Sequence, residues 1–259
     1  MEMKIKTMAF MASITVSIIG LCLVGQLHAS TIFEIKITNL SPNVLTPAPF
    51  ITHNASFDLF TEGYAASPEV ELLAEEGNTT GVRDLAMDGI TAGSVMDYQE
   101  AFDGGPIFPG AFATINIEAD MSHPLLSYLS MLAVSNDAFI GRTTGDGAIY
   151  LFFGGRHVSR RYWVYARNVW DAGTEDNDEL AVNVPGLGGS GSISEGSVVT
   201  RPHPGILGTG EIDTDFNWAI SGDTLVAKIE ISPIPEPTTI VLLGIGLLGL
   251  AGVIRKKIS

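Results

Sequence analysis

The chain has 259 residues, 46% of them hydrophobic, and a formal net charge of −15. A balance this acidic excludes nucleic acid as a partner, because phosphates demand a basic face. The length allows one large all-β domain or two small ones, and a single cysteine, Cys22, excludes an internal disulfide framework.

Residues 1–29 open with Lys4 and Lys6, continue as an almost unbroken apolar run over 8–24, and end on the small residue of Leu27-His28-Ala29. Charge, oil and a small residue in that order read as a secretory signal peptide. An uncleaved N-terminal anchor is the alternative. Cleavage after Ala29 removes Cys22 and with it any cysteine nucleophile.

Phe33, Ile35 and Ile37 then alternate with Glu34, Lys36 and Thr38, which predicts a half-buried strand. Pro42, Pro47 and Pro49 predict an extended loop, and Phe57, Leu59 and Phe60 a short second strand. Ser67-Pro68 reads as the cap and first position of a helix that runs to Glu76 and stops at Gly77. A second short helical turn follows Thr80, through Val82, Leu85 and Ala86. Ala113, Ile115, Ile117 and Ala119 alternate after the turn Pro109-Gly110. The apolar run 148–153 predicts a buried strand, and Tyr162 to Tyr165 another. Leu180, Val182 and Val184 alternate, 186–196 is a glycine-serine loop, and Leu225, Ala227, Ile229 and Ile231 close the domain. Short strands, Gly/Pro turns and few helices predict an all-β antiparallel sandwich over 30–233.

The last segment, 235–259, has three parts. Pro235-Glu236-Pro237 leads into an uncharged, glycine-rich apolar run of 17 residues, 238–254, which Arg255-Lys256-Lys257 ends. Such a run is close to the minimum for a transmembrane helix, with the basic end cytoplasmic. A plain tail anchor leaves the Pro-Glu-Pro triplet unexplained. The three parts together resemble the PEP-CTERM sorting signal of Gram-negative bacteria, which implies a membrane protease of the exosortase type as a partner. It also implies export, transient inner-membrane anchoring, and then cell-surface, matrix or secreted localisation. The two end segments carry about +1 and +2, so the middle is near −18.

The densest chemistry lies at 170–179, Trp-Asp-Ala-Gly-Thr-Glu-Asp-Asn-Asp-Glu, where five acids fall within nine residues. Carboxylates this close repel one another, and a hard cation with oxygen ligands relieves that repulsion. A solvated acidic turn is the alternative. The stretch Ser135-Asn136-Asp137-Ala138-Phe139-Ile140-Gly141 follows the apolar segment 125–134. These two motifs resemble the spondin domain family. The strand 33–39, the run 53–60, Glu195-Gly196 and His203-Pro204-Gly205 extend the resemblance over roughly 31–231.

The resemblance implies a C2-like antiparallel β-sandwich with a calcium ion at one end. It assigns ligand roles to Asp137, Asp171 and Glu175. The last position departs from the aspartate usual in animal members, so Asp176 or Asp178 is an alternative there. The animal disulfide framework does not transfer. It further implies a non-catalytic, calcium-binding surface module for adhesion or for matrix or exopolysaccharide association. The rival is an extracellular hydrolase acting on polysaccharide or lipid, which needs a pocket with a nucleophile or a carboxylate pair.

Other signals are weaker. The glycine patterns at 186–191 and 244–249 lie in a loop and in the tail, outside any strand-to-helix turn. Arg156, Arg160, Arg161 and Arg167 cluster with Tyr162, Trp163 and Tyr165, either as a site for anionic lipid or polysaccharide or as a strand face whose arginines pair with acids. His53, His123, His157 and His203 show no zinc spacing, and His203, between prolines, reads as structural.

Overall fold

The computed structural model describes residues 30–102, 104–191 and 197–235. The predicted signal segment and nearly all of the predicted sorting tail, with its expected transmembrane helix, lie outside them. Among the described residues no helix is long and apolar enough to cross a membrane.

Strand β1 (Thr31–Asn39) buries Phe33, Ile35 and Ile37 and turns Ile32 and Glu34 to solvent, as its alternation requires. It pairs with β12 (Leu225–Pro233) on one side and β4 (Phe112–Ala119) on the other, and β12 pairs with β10 (Arg160–Tyr165). The result is an antiparallel sheet ordered β10-β12-β1-β4. The second sheet is ordered β11 (Val169–Asp171), β6 (Ala138–Arg142), β5 (Leu125–Met131), β2 (Ala48–His53), β3 (Val95–Ala101), with β7 (Ile149–Tyr150) beside β5. A small hairpin of β8 (Phe152–Phe153) and β9 (Arg156–His157) stands apart.

Between the sheets, Phe33, Ile35, Ile117 and Ile229 meet Phe50, Leu126, Tyr128 and Ile140. The back of the second sheet carries another cluster, Ile51, Leu129, Met131, Phe139 and Trp170. Helices α1 (Pro68–Glu76) and α2 (Thr80–Ala92) cover it with Val70, Leu73, Val82 and Ala86. Each of the valines and the leucine contributes about 1.5–3 kcal/mol on burial. The centre of the second sheet is therefore dry on both faces, and every residue of β2 and β5 is buried. The architecture is the expected antiparallel β-sandwich, with the two helices laid over one sheet.

Helix α1 forms as its end signals predict. The Ser67 hydroxyl accepts from the Val70 N–H, Pro68 opens the first turn, and Gly77 closes it at φ 65°. Helix α2 is longer than the predicted turn, at 13 residues. Other expectations are corrected. Residues 57–60 form no strand; Phe57, Leu59 and Phe60 plug the second cluster, and the Leu59 N–H bonds the Thr143 hydroxyl instead of a ladder. The proline-rich stretch read as loop contains β2, because Pro49 precedes the first pair with β5, Phe50 with Tyr128. The run 148–153 is split between β7 and β8, with Tyr150 and Phe153 exposed. The alternation at 180–184 is a 3₁₀ turn, Ala181–Asn183, since the Asp178 and Glu211 carboxylates take the N–H groups of Leu180 and Ala181.

The sandwich has two distinct ends. Strand β5 runs from Leu125, opposite Tyr150, to Met131, opposite Phe139, a span of about 20 Å at 3.4 Å per residue. One end holds the start of β1, the end of β12 and the β8–β9 hairpin, with Phe152 edge-on to Phe33 at 5.6 Å. The other holds the loops that follow β5 and β11.

Candidate metal centre

Asp137 and Asp171 meet at this second, loop end. Asp137 directly precedes β6, Asp171 ends β11, and the pairing sets Asp171 opposite Ala138. The loop between β5 and β6 is tight. The Leu132 N–H donates to the Ala138 carbonyl, and the Ser135 hydroxyl links the Leu132 carbonyl at 2.6 Å to the Ala138 N–H at 3.2 Å. Buried Asn43 braces it from below, exchanging bonds with both the N–H and the carbonyl of Val134.

A third group completes the cluster. Residues 200–203 run back along β11. Asp171 and Thr200 exchange backbone bonds, and the His203 N–H donates to the Val169 carbonyl. This path delivers His203 to the two aspartates, and ligating atoms of Asp137, Asp171 and His203 lie within 4.8 Å of one another. His203 Nε2 is 3.8 Å from Asp137 Oδ1 and 4.0 Å from Asp171 Oδ2. No sequence spacing pointed to His203; its approach is set by tertiary pairing.

The acidic loop encloses this cluster. Asp137 Oδ2 accepts from the Thr174 N–H at 3.0 Å and the Glu175 N–H at 3.3 Å. Asp171 Oδ1 accepts from the Gly173 N–H, and its Oδ2 from the Asn177 amide. Gly173 sits at φ 68°, and a Cβ there would come within 2.7 Å of the Val198 carbonyl oxygen, so only glycine lets the loop close. Glu175, expected as a ligand, reaches the cluster through its backbone N–H, and its side chain is buried. Asp176 is exposed. Asp178 is held by the Asn136 and Asn183 amides and the Leu180 N–H, so its oxygens brace the loop. Trp170 packs beneath the loop. It donates to the Gly141 carbonyl at 3.1 Å, lies against Phe60, and carries the Arg201 guanidinium 4.3 Å above its ring.

Asp137 is fully buried, yet its Oδ1 has no hydrogen-bond partner among the described residues, and neither has His203 Nε2. Burial, then the neighbouring Asp171 charge, pushes the Asp137 carboxyl far above the usual range, against the N–H groups that favour its charge. Burial pulls the His203 imidazole below its ordinary value, although Asp171 opposes this. The His203 tautomer follows from its other nitrogen. Nδ1 accepts the Gly205 N–H at 3.0 Å, so the proton of the neutral ring sits on Nε2, facing the carboxylates. A metal-ligating imidazole normally donates from the nitrogen that does not bind metal. His203 does the reverse, so it suits a donor to the carboxylates better than a ligand. The oxygens that remain suit a hard cation, and a buried carboxylate oxygen without a partner is where one fits.

The arginine-rich segment divides. Arg161 bonds Glu230, and Arg167 bonds Asp223 while lying over the Tyr165 ring at 4.3 Å. Arg156 stands exposed on the hairpin.

Two family models match the chain. The PEP-CTERM protein-sorting motif matches residues 233–256, which take in the Pro-Glu-Pro triplet, the apolar run and the first two basic residues. This is accordingly an exported, surface-targeted chain, sorted by exosortase at its tail. No curated protein matches it. The Spondin_N model matches residues 47–179, which contain Asp137, Asp171 and Glu175 but not His203. That match spans just over half of the chain, and the chain belongs to the Spondin_N family.

Proposed function

We propose that the protein is a non-catalytic, calcium-binding adhesion module of the cell surface. Its tail holds it in the inner membrane until exosortase acts, and it then serves in matrix or exopolysaccharide association. The observation that carries the metal assignment is Asp137 Oδ1, fully buried beside a second carboxylate and without a hydrogen-bond partner among the described residues. Bound calcium supplies the positive charge that lets both aspartates stay ionised at this distance. The chain's own residues do the rest. The Thr174 and Glu175 N–H groups aim the Asp137 carboxylate, Asn177 and Gly173 aim that of Asp171, and His203 presents Nε2–H to both.

The hydrolase reading has one observation in its favour. Ser127 Oγ lies 2.7 Å from His53 Nε2, and His53 Nδ1 lies 2.8 Å from the Asn54 carbonyl, the order of contacts in a base-activated serine. Both side chains are fully buried, with Phe57 against the imidazole at 5.2 Å. In this packing no substrate carbonyl reaches Oγ, which favours a structural pair.

Calorimetry of the protein with calcium and then with chelator tests the proposal. Calcium bound to the folded state alone raises the melting temperature, and Asp171→Asn weakens the effect. Identical unfolding at millimolar calcium and in chelator would remove the metal site.

A further inference from the structure

The hairpin end of the sandwich collects apolar side chains that the fold does not use. Phe153 is 75% exposed and Tyr150 60%, on strands of two residues each. Ile32 is 49% exposed at the start of β1. Ile234, 38% exposed, adds one more rung beyond β12 through its N–H to the Ile32 carbonyl. Met121 is exposed in the turn that feeds β5. Arg156 and His157 extend from the far arm of the hairpin, both exposed. Asp120, the acid of that turn, is bonded to Ser122 and His123. In a chain of net charge −15, this end thus offers aromatic and aliphatic side chains with an exposed arginine.

The same end is where the chain departs toward the tail. Pro235 is the last described residue before it, and the uncharged run begins at Thr238. Three residues span at most about 11 Å. A tail inserted in a bilayer therefore holds this end, and not the metal loops, against the membrane surface. Aromatic rings settle at the level of lipid headgroups, and arginine is drawn to anionic ones.

We propose that, while the tail is inserted, the hairpin end lies against an anionic bilayer surface. Phe153, Tyr150, Ile32 and Ile234 enter the interface and Arg156 pairs with headgroups. This rests on the tail-anchored reading above. It sets the orientation of the module, with Asp137 and Asp171 about 20 Å away from the lipid at the opposite end.

The test uses the chain after signal cleavage, residues 30–259, which holds no cysteine, reconstituted in phosphatidylglycerol–phosphatidylethanolamine vesicles with nitroxide at headgroup depth. A fluorophore is attached at Phe153→Cys or, at the opposite end, at Leu207→Cys. Both positions are exposed, so neither change removes core. The expected result is quenching and a blue shift at 153, with neither at 207. Adding Arg156→Glu, or raising salt, should reduce the quenching at 153. Equal exposure of the two labels to water overturns the proposal, as does quenching at 207 instead. Protection at 153 without lipid quenching also overturns it, by assigning this end to a protein or glycan partner. If alkaline washing strips the chain from the vesicles, the tail-anchored reading itself fails, an outcome distinct from a chain that stays anchored with both labels in water.

Discussion

Replacing Asp137 by asparagine separates two effects that a simple loss-of-ligand view merges. The amide oxygen can keep the Thr174 and Glu175 N–H bonds, while the amide nitrogen takes the place of Oδ1 beside Asp171 and His203. Two ionised carboxylates no more than 4.8 Å apart repel by about 3.5 kcal/mol at an effective dielectric of about 20. Asparagine removes that term. It also turns two charge-assisted bonds into neutral ones, a loss of roughly 1 kcal/mol each. In chelator at about pH 8, above even the raised Asp137 value of about 7, the variant should be more stable by about 1.5 kcal/mol. For a domain this size that raises the midpoint by roughly 3–6 °C. In calcium at about a hundredfold over Kd, the native protein gains about 2.7 kcal/mol that the variant cannot, so the variant should now be the less stable by about 1 kcal/mol. Thermal unfolding in calcium and in chelator reads both numbers. A change of the same sign and size in the two conditions refutes a cation between these carboxylates.

Other changes probe the supporting residues. His203→Gln, which keeps an N–H donor, should weaken calcium binding by no more than about tenfold in titration calorimetry; a loss far beyond that would make the imidazole a ligand. Gly173→Ala puts a Cβ into the Val198 backbone and should abolish calcium binding while the far-ultraviolet spectrum stays native. Glu179 is buried, and burial works against its charge. The N–H groups of Leu207, Gly210 and Thr209 outweigh burial and hold its carboxyl below the usual range. A lowered value stabilises the fold above the ordinary glutamate range, and the gain is lost as pH falls through that range and below. Glu179→Gln should therefore cost about 2 kcal/mol at neutral pH, and the gap to the native protein should close in acid denaturation experiments.

What the sequence revealed follows the wetting of each element. Strands β1, β4 and β12 keep one face in water, so their alternation shows. Helix α1 announces itself through Ser67, Pro68 and Gly77 because end signals are local chemistry. Strands β2 and β5 are dry on both faces and carry no alternation, and in β2 the prolines pointed to a loop. The alternation at 180–184 misled because Asp178 and Glu211 claim the backbone groups a ladder would need. At the candidate site, Asp137 and Asp171 were legible from acid density and motif resemblance. His203 was not, because its place depends on the segment 200–203 running back along β11, which no spacing encodes. Nor could spacing tell that Glu175 offers its N–H to the cluster.

The helices sit on the side of the second sheet away from the sandwich interior, and they look like an appendage to it. They interrupt a direct pairing, since His53 at the end of β2 already faces Val95 at the start of β3. Yet the cluster they shelter includes Trp170, the residue before Asp171. Anything that peels the helical lid, such as a nick in 61–66, will loosen the indole floor and let the adjoining aspartate wander. The grip on the ion is thereby tied to a surface that touches neither carboxylate.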